Sequence, residues 1–66
     1  MTIDLDSERS IRISHGTLIG HNMYRASAQG YLRGEAVGEL FEGYGSTMGE
    51  ADLSAERAAR DFILSE

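Results

Sequence analysis

Small and apolar side chains recur every three or four positions in the last quarter of the chain. They are Ala51, Ala55, Ala58, Ala59, Phe62 and Ile63. This spacing predicts an amphipathic helix from Met48 to Leu64. Thr47 precedes the helix and Glu50 follows three residues later, which is typical of a capping box, in which the hydroxyl and the carboxylate each accept a backbone N–H. Ser54 is an alternative N-cap for a helix that begins later.

Upstream of this helix, apolar and polar positions alternate with a period of two, as they do in β-strands. The alternation covers the segments Met23 to Gln29 and Glu35 to Tyr44. Gly30 and Gly34 bracket the short connection between the two segments. Together these features predict a β-hairpin.

The first 20 residues predict one further strand and leave a second one open. Residues 10–14 alternate and residues 17–19 are extended, with a turn predicted at His15 and Gly16 between them. At the N-terminus Ile3 and Leu5 alternate with acidic residues. Residues 1–9 therefore form either a short edge strand or an acidic arm that is too polar to fold alone.

These elements predict an α+β fold, with a three- or four-stranded antiparallel sheet and the single C-terminal helix packed on one face. A chain of 66 residues is expected to form one domain, spanning residues 1–66. One helix covers only one face of the sheet. The second face is then open to solvent, or it is covered by a partner or by a second copy in a homodimer.

The carboxylates decide which side of each strand faces the helix. In the favoured orientation the helix-facing residues are Tyr24, Ala26, Ala28, Ala36, Leu40 and Tyr44. The open face then carries Met23, Arg25, Glu35, Val37, Glu39 and Phe41. The opposite orientation would bury Glu35 and Glu39 without partners, which is costly. We therefore expect two carboxylates beside the exposed ring of Phe41 on the open face.

The charge balance narrows the class of partner. The chain carries 6 basic and 11 acidic residues, a net charge of −5. A domain of this charge is repelled by nucleic acid and by anionic membranes, so direct binding to either is not expected. A basic protein surface is the natural electrostatic complement, because opposite potentials accelerate association.

Compartment and cofactor use follow from residues that the chain lacks. It contains no cysteine, so it has neither a disulfide framework nor a thiolate zinc site, and the cytoplasm is the expected compartment. Its longest apolar run, Phe62 to Leu64, is far too short to span a membrane, and its N-terminus has no basic leader. We therefore expect a soluble chain without a cofactor.

The sequence also contains no motif for catalysis. His15 and His21, the only imidazoles, lack the spacing of a metal site and fall at predicted bends. No serine lies in a nucleophile elbow, and Gly43 and Gly45 are too close together for a phosphate-binding loop. The chain is therefore not expected to be an enzyme.

The run Gly45-Ser46-Thr47 followed by Glu50-Ala51, after a hairpin and before an alanine-rich helix, resembles two families. Double-stranded-RNA-binding domains share the order of elements, but their helix opens with lysines where this chain has Met48, Gly49 and Glu50. That comparison argues against RNA binding. HicB-type antitoxins also place a threonine-capped helix with Glu-Ala in its first turn after two strands. This resemblance covers about the last quarter of the chain and implies a toxin as partner.

In length, negative charge and lack of catalytic motifs, the chain also resembles small phage-encoded inhibitors of bacterial defence, including anti-CRISPR proteins. This resemblance implies a non-catalytic inhibitor in the bacterial host cytoplasm, acting as a DNA mimic on a nucleic-acid-handling complex. The residues expected to bind its basic surface are Glu35, Glu39 and Phe41, with Asp4 and Asp6 extending the negative field. A HicB-like antitoxin and an accessory structural subunit are the alternatives.

Overall fold

A computed structural model describes residues 1–65 as a four-stranded antiparallel sheet with one helix packed on one face. Its elements are β1 (Thr2–Asp4), β2 (Arg9–Gly20), β3 (Met23–Leu32), β4 (Glu35–Gly45) and α1 (Met48–Leu64). Each strand pairs with the next one along the chain, so β1 and β4 form the two edges of the sheet. The predicted α+β fold and the bounds of the helix are confirmed.

The acidic N-terminus is an edge strand rather than a free arm. Ile3 lies opposite Ile11 and packs against the core. The Met1 amino group donates to the Ile13 carbonyl at 2.9 Å, and the Ile13 N–H donates to the Met1 carbonyl at 2.7 Å. The ladder with β2, the Ile3 side chain and these terminal hydrogen bonds hold β1 in place.

The predicted turn at His15 and Gly16 is wrong, because β2 continues through it. The register shifts between Ser14 and Thr17, which marks an irregularity of the β-bulge type. The chain reverses only after Gly20, where Asn22 has a φ of 53°. Gly16 is buried under the helix, and a Cβ added there would lie 3.3 Å from the Ala51 Cβ.

Small side chains form most of the core. The buried apolar residues are Ile11, Ile13, Ala26, Ala28, Ala51, Ala55, Ala59 and Ile63. The helix buries one of them per turn, as the spacing predicts. On the sheet side, a Cβ added at Gly43 would overlap the Ala55 backbone and lie 2.6 Å from the Ala51 carbonyl oxygen. The helix and β4 therefore touch backbone to backbone.

The face prediction for β4 is wrong. Residues directly opposite each other in antiparallel strands share a face, and the buried Ala26 and Ala28 lie opposite Gly43 and Phe41. Phe41 packs against the core, with its ring centroid 5.5 Å from that of Phe62. It therefore lies under the helix and not on the open face.

The face prediction failed because it treated β4 as a regular strand. Glu35 begins the strand, and Glu39 lies in an irregular segment in which Gly38 has a φ of 71°. Both carboxylates are exposed even though Phe41 faces the helix. On β3, the predicted helix-facing residues Tyr24, Ala26 and Ala28 do pack in or against the core. On β4, the predicted helix-facing residues Ala36, Leu40 and Tyr44 are exposed.

Thr47 is the N-cap of α1. Its hydroxyl accepts the Glu50 N–H at 3.1 Å, and the helix begins at Met48, so the alternative start at Ser54 is wrong. The Glu50 carboxylate accepts a hydrogen bond from the Ser46 hydroxyl at 2.8 Å. In the predicted capping box the Thr47 N–H would donate to this carboxylate. In the structure the Ser46 hydroxyl is the donor instead.

The close contact at Gly43 gives the first prediction. Gly43→Ala should lower the free energy of unfolding by about 2 kcal/mol or more, because rigid backbone opposes the new methyl group. Gly49→Ala is the matched control, since a Cβ there meets nothing within 4 Å, and it should stabilise α1 by about 0.5–1 kcal/mol. Urea unfolding followed by circular dichroism measures both values. Equal midpoints for the two variants would contradict the contact.

The N-cap gives the second prediction. Thr47→Ala should cost about 0.5–2 kcal/mol of unfolding free energy, because the Glu50 N–H loses its acceptor. Ser54→Ala, inside the helix and exposed, should be neutral or slightly stabilising. Thermal melts of both variants test this, and a larger loss for Ser54→Ala would show that the helix starts later than described.

Candidate functional site

The candidate site is the outer edge of β4. Its inner side pairs with β3, and no strand lies on its outer side among residues 1–65. The exposed residues Glu35, Glu39 and Leu40 lie along this edge, and the Leu40 side chain is 57% exposed. We call these three residues, with the outward backbone of Glu35–Gly45, the β4 edge. Such an edge offers unpaired N–H and C=O groups to another chain.

Glu35 and Glu39 have no ion-pair partner within residues 1–65. Four of the arginines do have one, in the pairs Arg9–Asp6, Arg25–Glu42, Arg33–Glu8 and Arg60–Glu56. Glu42, the third carboxylate of β4, is therefore partly neutralised, with 3.7 Å between its Oε2 and Arg25 Nε. The two remaining carboxylates of β4 are exposed to solvent, and no cation within residues 1–65 pairs with them.

The helix extends the negative charge on the side that borders β4. Glu50 lies beside Gly45 at the end of the strand. Asp61 follows eleven residues later, about three helical turns, and so lies on the same flank. Arg57 lies between them on this flank and offsets part of their charge. The outer side of β4 thus combines Glu35 and Glu39 with a net acidic helix flank.

Acidic and basic residues occupy different segments of the chain, which the net charge alone did not reveal. The segment from Arg9 to Arg33 contains no aspartate or glutamate. It contains four arginines and two histidines. All carboxylates occur in residues 1–8 and 35–66. The first of these segments contains β1 and the second begins with β4, so a basic central hairpin lies between two acidic edges. Charge summed segment by segment would have shown the pattern.

The predicted site is split by the fold. Glu35 and Glu39 lie on the exposed edge, whereas Phe41 lies under the helix against Phe62. Leu40, which the sequence analysis assigned to the core, takes the place of Phe41 as the exposed apolar neighbour of the carboxylates. In the observed orientation of β4, Leu40 instead of Phe41 is the exposed apolar residue. Glu35 and Glu39 are exposed in this orientation too.

Asp4 and Asp6 do not join this site. Asp4 belongs to β1, at the opposite edge of the sheet and three strand spacings from β4, about 14 Å. Asp6 holds the connection between β1 and β2, since its carboxylate accepts the N–H groups of Glu8 at 2.8 Å and Arg9 at 2.7 Å. The Arg9 guanidinium also pairs with it at 2.9 Å. These hydrogen bonds, that of Glu8 first, lower the pKa of Asp6 from its usual 3.8.

One histidine has a carboxylate partner. His15 Nδ1 lies 2.9 Å from Asp52 Oδ2, and the Gly16 N–H donates to the other Asp52 oxygen at 2.8 Å. Asp52 thereby ties the irregular part of β2 to the beginning of α1. The contact was missed because its partners are 37 residues apart and no local pattern connects them. His21 lies in the exposed β2–β3 turn.

No protein-family model, curated protein or solved structure matches the chain. Within the described residues, α1 is neither long nor apolar enough to cross a membrane. Across residues 1–65, no three His, Asp or Glu side chains are grouped so that they could hold a metal ion. The same part of the chain contains no pocket.

The turn at Asp6 gives the third prediction. Because its pKa is lower in the folded than in the unfolded chain, the Asp6 carboxylate stabilises the fold above pH 3.8 and loses this effect as the pH falls through its folded pKa. The stability difference between the parent and Asp6→Asn should therefore shrink from pH 7 to pH 2. Urea midpoints at both pH values and a carboxyl NMR titration test this. An Asp6 titration at or above pH 3.8 would contradict it.

Proposed function

We propose that the chain is a non-catalytic inhibitor that docks its β4 edge on a basic, nucleic-acid-binding surface of a bacterial defence complex and so excludes the nucleic acid. One observation carries the proposal. Glu35 and Glu39 are exposed and have no ion-pair partner among residues 1–65, and they lie on an edge strand that also carries the exposed Leu40 next to Glu39.

Uncompensated carboxylates favour an external cationic partner. A carboxylate already held by an arginine, such as Glu42, gives up part of an existing interaction when it binds another cation. Glu35 and Glu39 have no such interaction to lose. Their negative field also steers a basic surface toward this edge and repels nucleic acid from it.

The position of the carboxylates suits mimicry of a nucleic-acid backbone. Basic channels bind nucleic acid mainly through a line of phosphate charges, without needing base contacts. Glu35 and Glu39 follow one strand, with Glu50 and Asp61 on the adjacent helix flank. This exposed negative charge, together with an apolar contact at Leu40, competes with nucleic acid for such a channel.

The second candidate function is that of an accessory structural subunit. It is favoured by exposed apolar residues near the β2–β3 turn. Three large apolar side chains near the β2–β3 turn are exposed, Leu18 at 62%, Ile19 at 46% and Met23 at 43%. Clustered apolar exposure of this kind is typical of contact surfaces. In this alternative, replacing the three residues with serine abolishes assembly, whereas changes at the β4 edge do not.

The fourth prediction tests the inhibitor by charge reversal. The assay measures binding of labelled target DNA to a panel of purified RNA-guided defence complexes, with and without this protein. Where the parent protein inhibits, Glu35→Lys/Glu39→Lys should raise the concentration needed by at least about tenfold, because like charges across an interface cost several kcal/mol. Inhibition by the parent should also weaken as salt rises.

Asp4→Lys/Glu8→Lys is the matched control. It changes the net charge equally, at exposed positions on or near the other edge of the sheet. Glu8 loses only an exposed pair with Arg33, which contributes little to stability. Inhibition by the control should stay within about twofold of the parent. Equal losses in both variants would show a net-charge effect without a site, and inhibition indifferent to both variants and to salt would contradict the proposal.

A further inference from the structure

We infer that β4 takes up an extended, cationic segment of its partner as a fifth strand of the sheet. The inference rests on the proposed function, which supplies a basic partner, and it adds the mode of contact. The occupant is a strand with lysine or arginine side chains, held by main-chain hydrogen bonds along the β4 edge.

The backbone on the outer side of β4 is free to pair. The strand is eleven residues long and forms its ladder with β3. Among residues 1–65, the further hydrogen bonds to its backbone come from β3 as well: Gln29 Nε2 donates to the carbonyls of Val37 at 2.9 Å and Gly38 at 3.3 Å. No strand of the described chain pairs with the outer side.

The irregular segment divides this edge and determines where a new strand fits. From Phe41 to Gly45 every residue is in register with β3, so this part is straight enough to template another strand. Before it, Gly38 to Leu40 lie outside the register. Pairing is therefore expected along residues 41–45. Tyr44, 49% exposed on the open side, supplies a cross-strand apolar contact there.

Charge selects the occupant. Two copies paired through residues 41–45 would bring the Glu42 of each chain into one pair of strands, with the Glu39 of each chain two residues before the paired segment. Like charges in adjacent strands destabilise the pair. Charged residues on an edge strand commonly prevent this self-association. A cationic strand turns the same carboxylates into attractive neighbours. Charge therefore disfavours pairing of the β4 edge with a second copy and favours pairing with a basic segment.

A second open edge in the molecule serves as an internal control. The register of β1 reaches only Arg12 on β2, so β1 does not pair with β2 from Ser14 to Gly20. Within this stretch the Gly16 N–H already donates to Asp52, and the remaining residues are the comparison. This stretch contains no carboxylate. If charge selects the occupant, a cationic strand will pair with residues 41–45 and not with residues 14–20.

The test uses three synthetic seven-residue peptides with blocked ends. The first alternates lysine and valine, the second replaces each lysine with glutamate, and the third is the lysine peptide with every backbone amide N-methylated. The third peptide keeps its charge but cannot donate main-chain hydrogen bonds. Binding to the full chain is followed by amide NMR shifts and by hydrogen exchange.

The lysine peptide should slow exchange of β4 amides within residues 41–45 and leave residues 14–20 unchanged. N-methylation should weaken binding at least tenfold, and the glutamate peptide should not bind. Equal binding of the lysine peptide and its N-methylated form would overturn strand addition while the acidic docking surface of the proposed function stands. No preference for lysine over glutamate would overturn both.

Two further outcomes would also overturn the inference. Protection of residues 14–20 as strong as that of residues 41–45 would show strand addition without charge selection. Protection of residues 41–45 that rises with protein concentration, in the absence of peptide, would show that a second copy occupies the edge.

Discussion

The backbone of α1 rests directly on the backbone of β4 at Gly43, and the rest of the fold depends on this contact. The space between Gly43 and the helix residues Ala51 and Ala55 does not accommodate a methyl group. Close approach of this kind requires glycine on one side and small residues on the other. It fixes the helix over β3 and β4, with one buried residue in each turn.

The same contact determines the orientation of β4. With Gly43 under the helix, the alternation of the strand places Phe41 under it as well and turns Tyr44 to the open side. The same alternation turns Leu40 to the open side, and the irregular segment at Gly38 leaves Glu39 exposed. The close packing at Gly43 thus determines which side chains of the last part of β4 face solvent, Leu40 and Tyr44 among them.

Local patterns in the sequence predicted the parts of the fold that local interactions determine. The alanine spacing defined the helix from Met48 to Leu64, and Thr47 identified its start. The face of β4 could not be obtained in this way, because it depends on a backbone contact between residues distant in sequence. The prediction weighed the cost of burying Glu35 and Glu39. It did not allow for a strand that leaves Glu35 exposed at its first residue and Glu39 exposed in an irregular segment.

The candidate site was predicted in part for the same reason. The two carboxylates of β4 were found from charge and period, which are local properties. Assigning Phe41 to their surface required the correct face, and including Asp4 and Asp6 required the order of the strands. Asp6 in addition forms hydrogen bonds within its own turn. Neither strand order nor such a turn can be read from net charge.

The most direct test of this account is the set of short proton–proton distances between β4 and α1 in solution. A nuclear Overhauser spectrum should connect the Gly43 Hα protons with the Ala55 amide, and the ring of Phe41 with that of Phe62. Cross-peaks from the side chains of Leu40 and Tyr44 to the methyl groups of Ala55 and Ala59 would instead place the opposite face of β4 under the helix. That result would contradict both the close backbone contact and the outer surface derived from it.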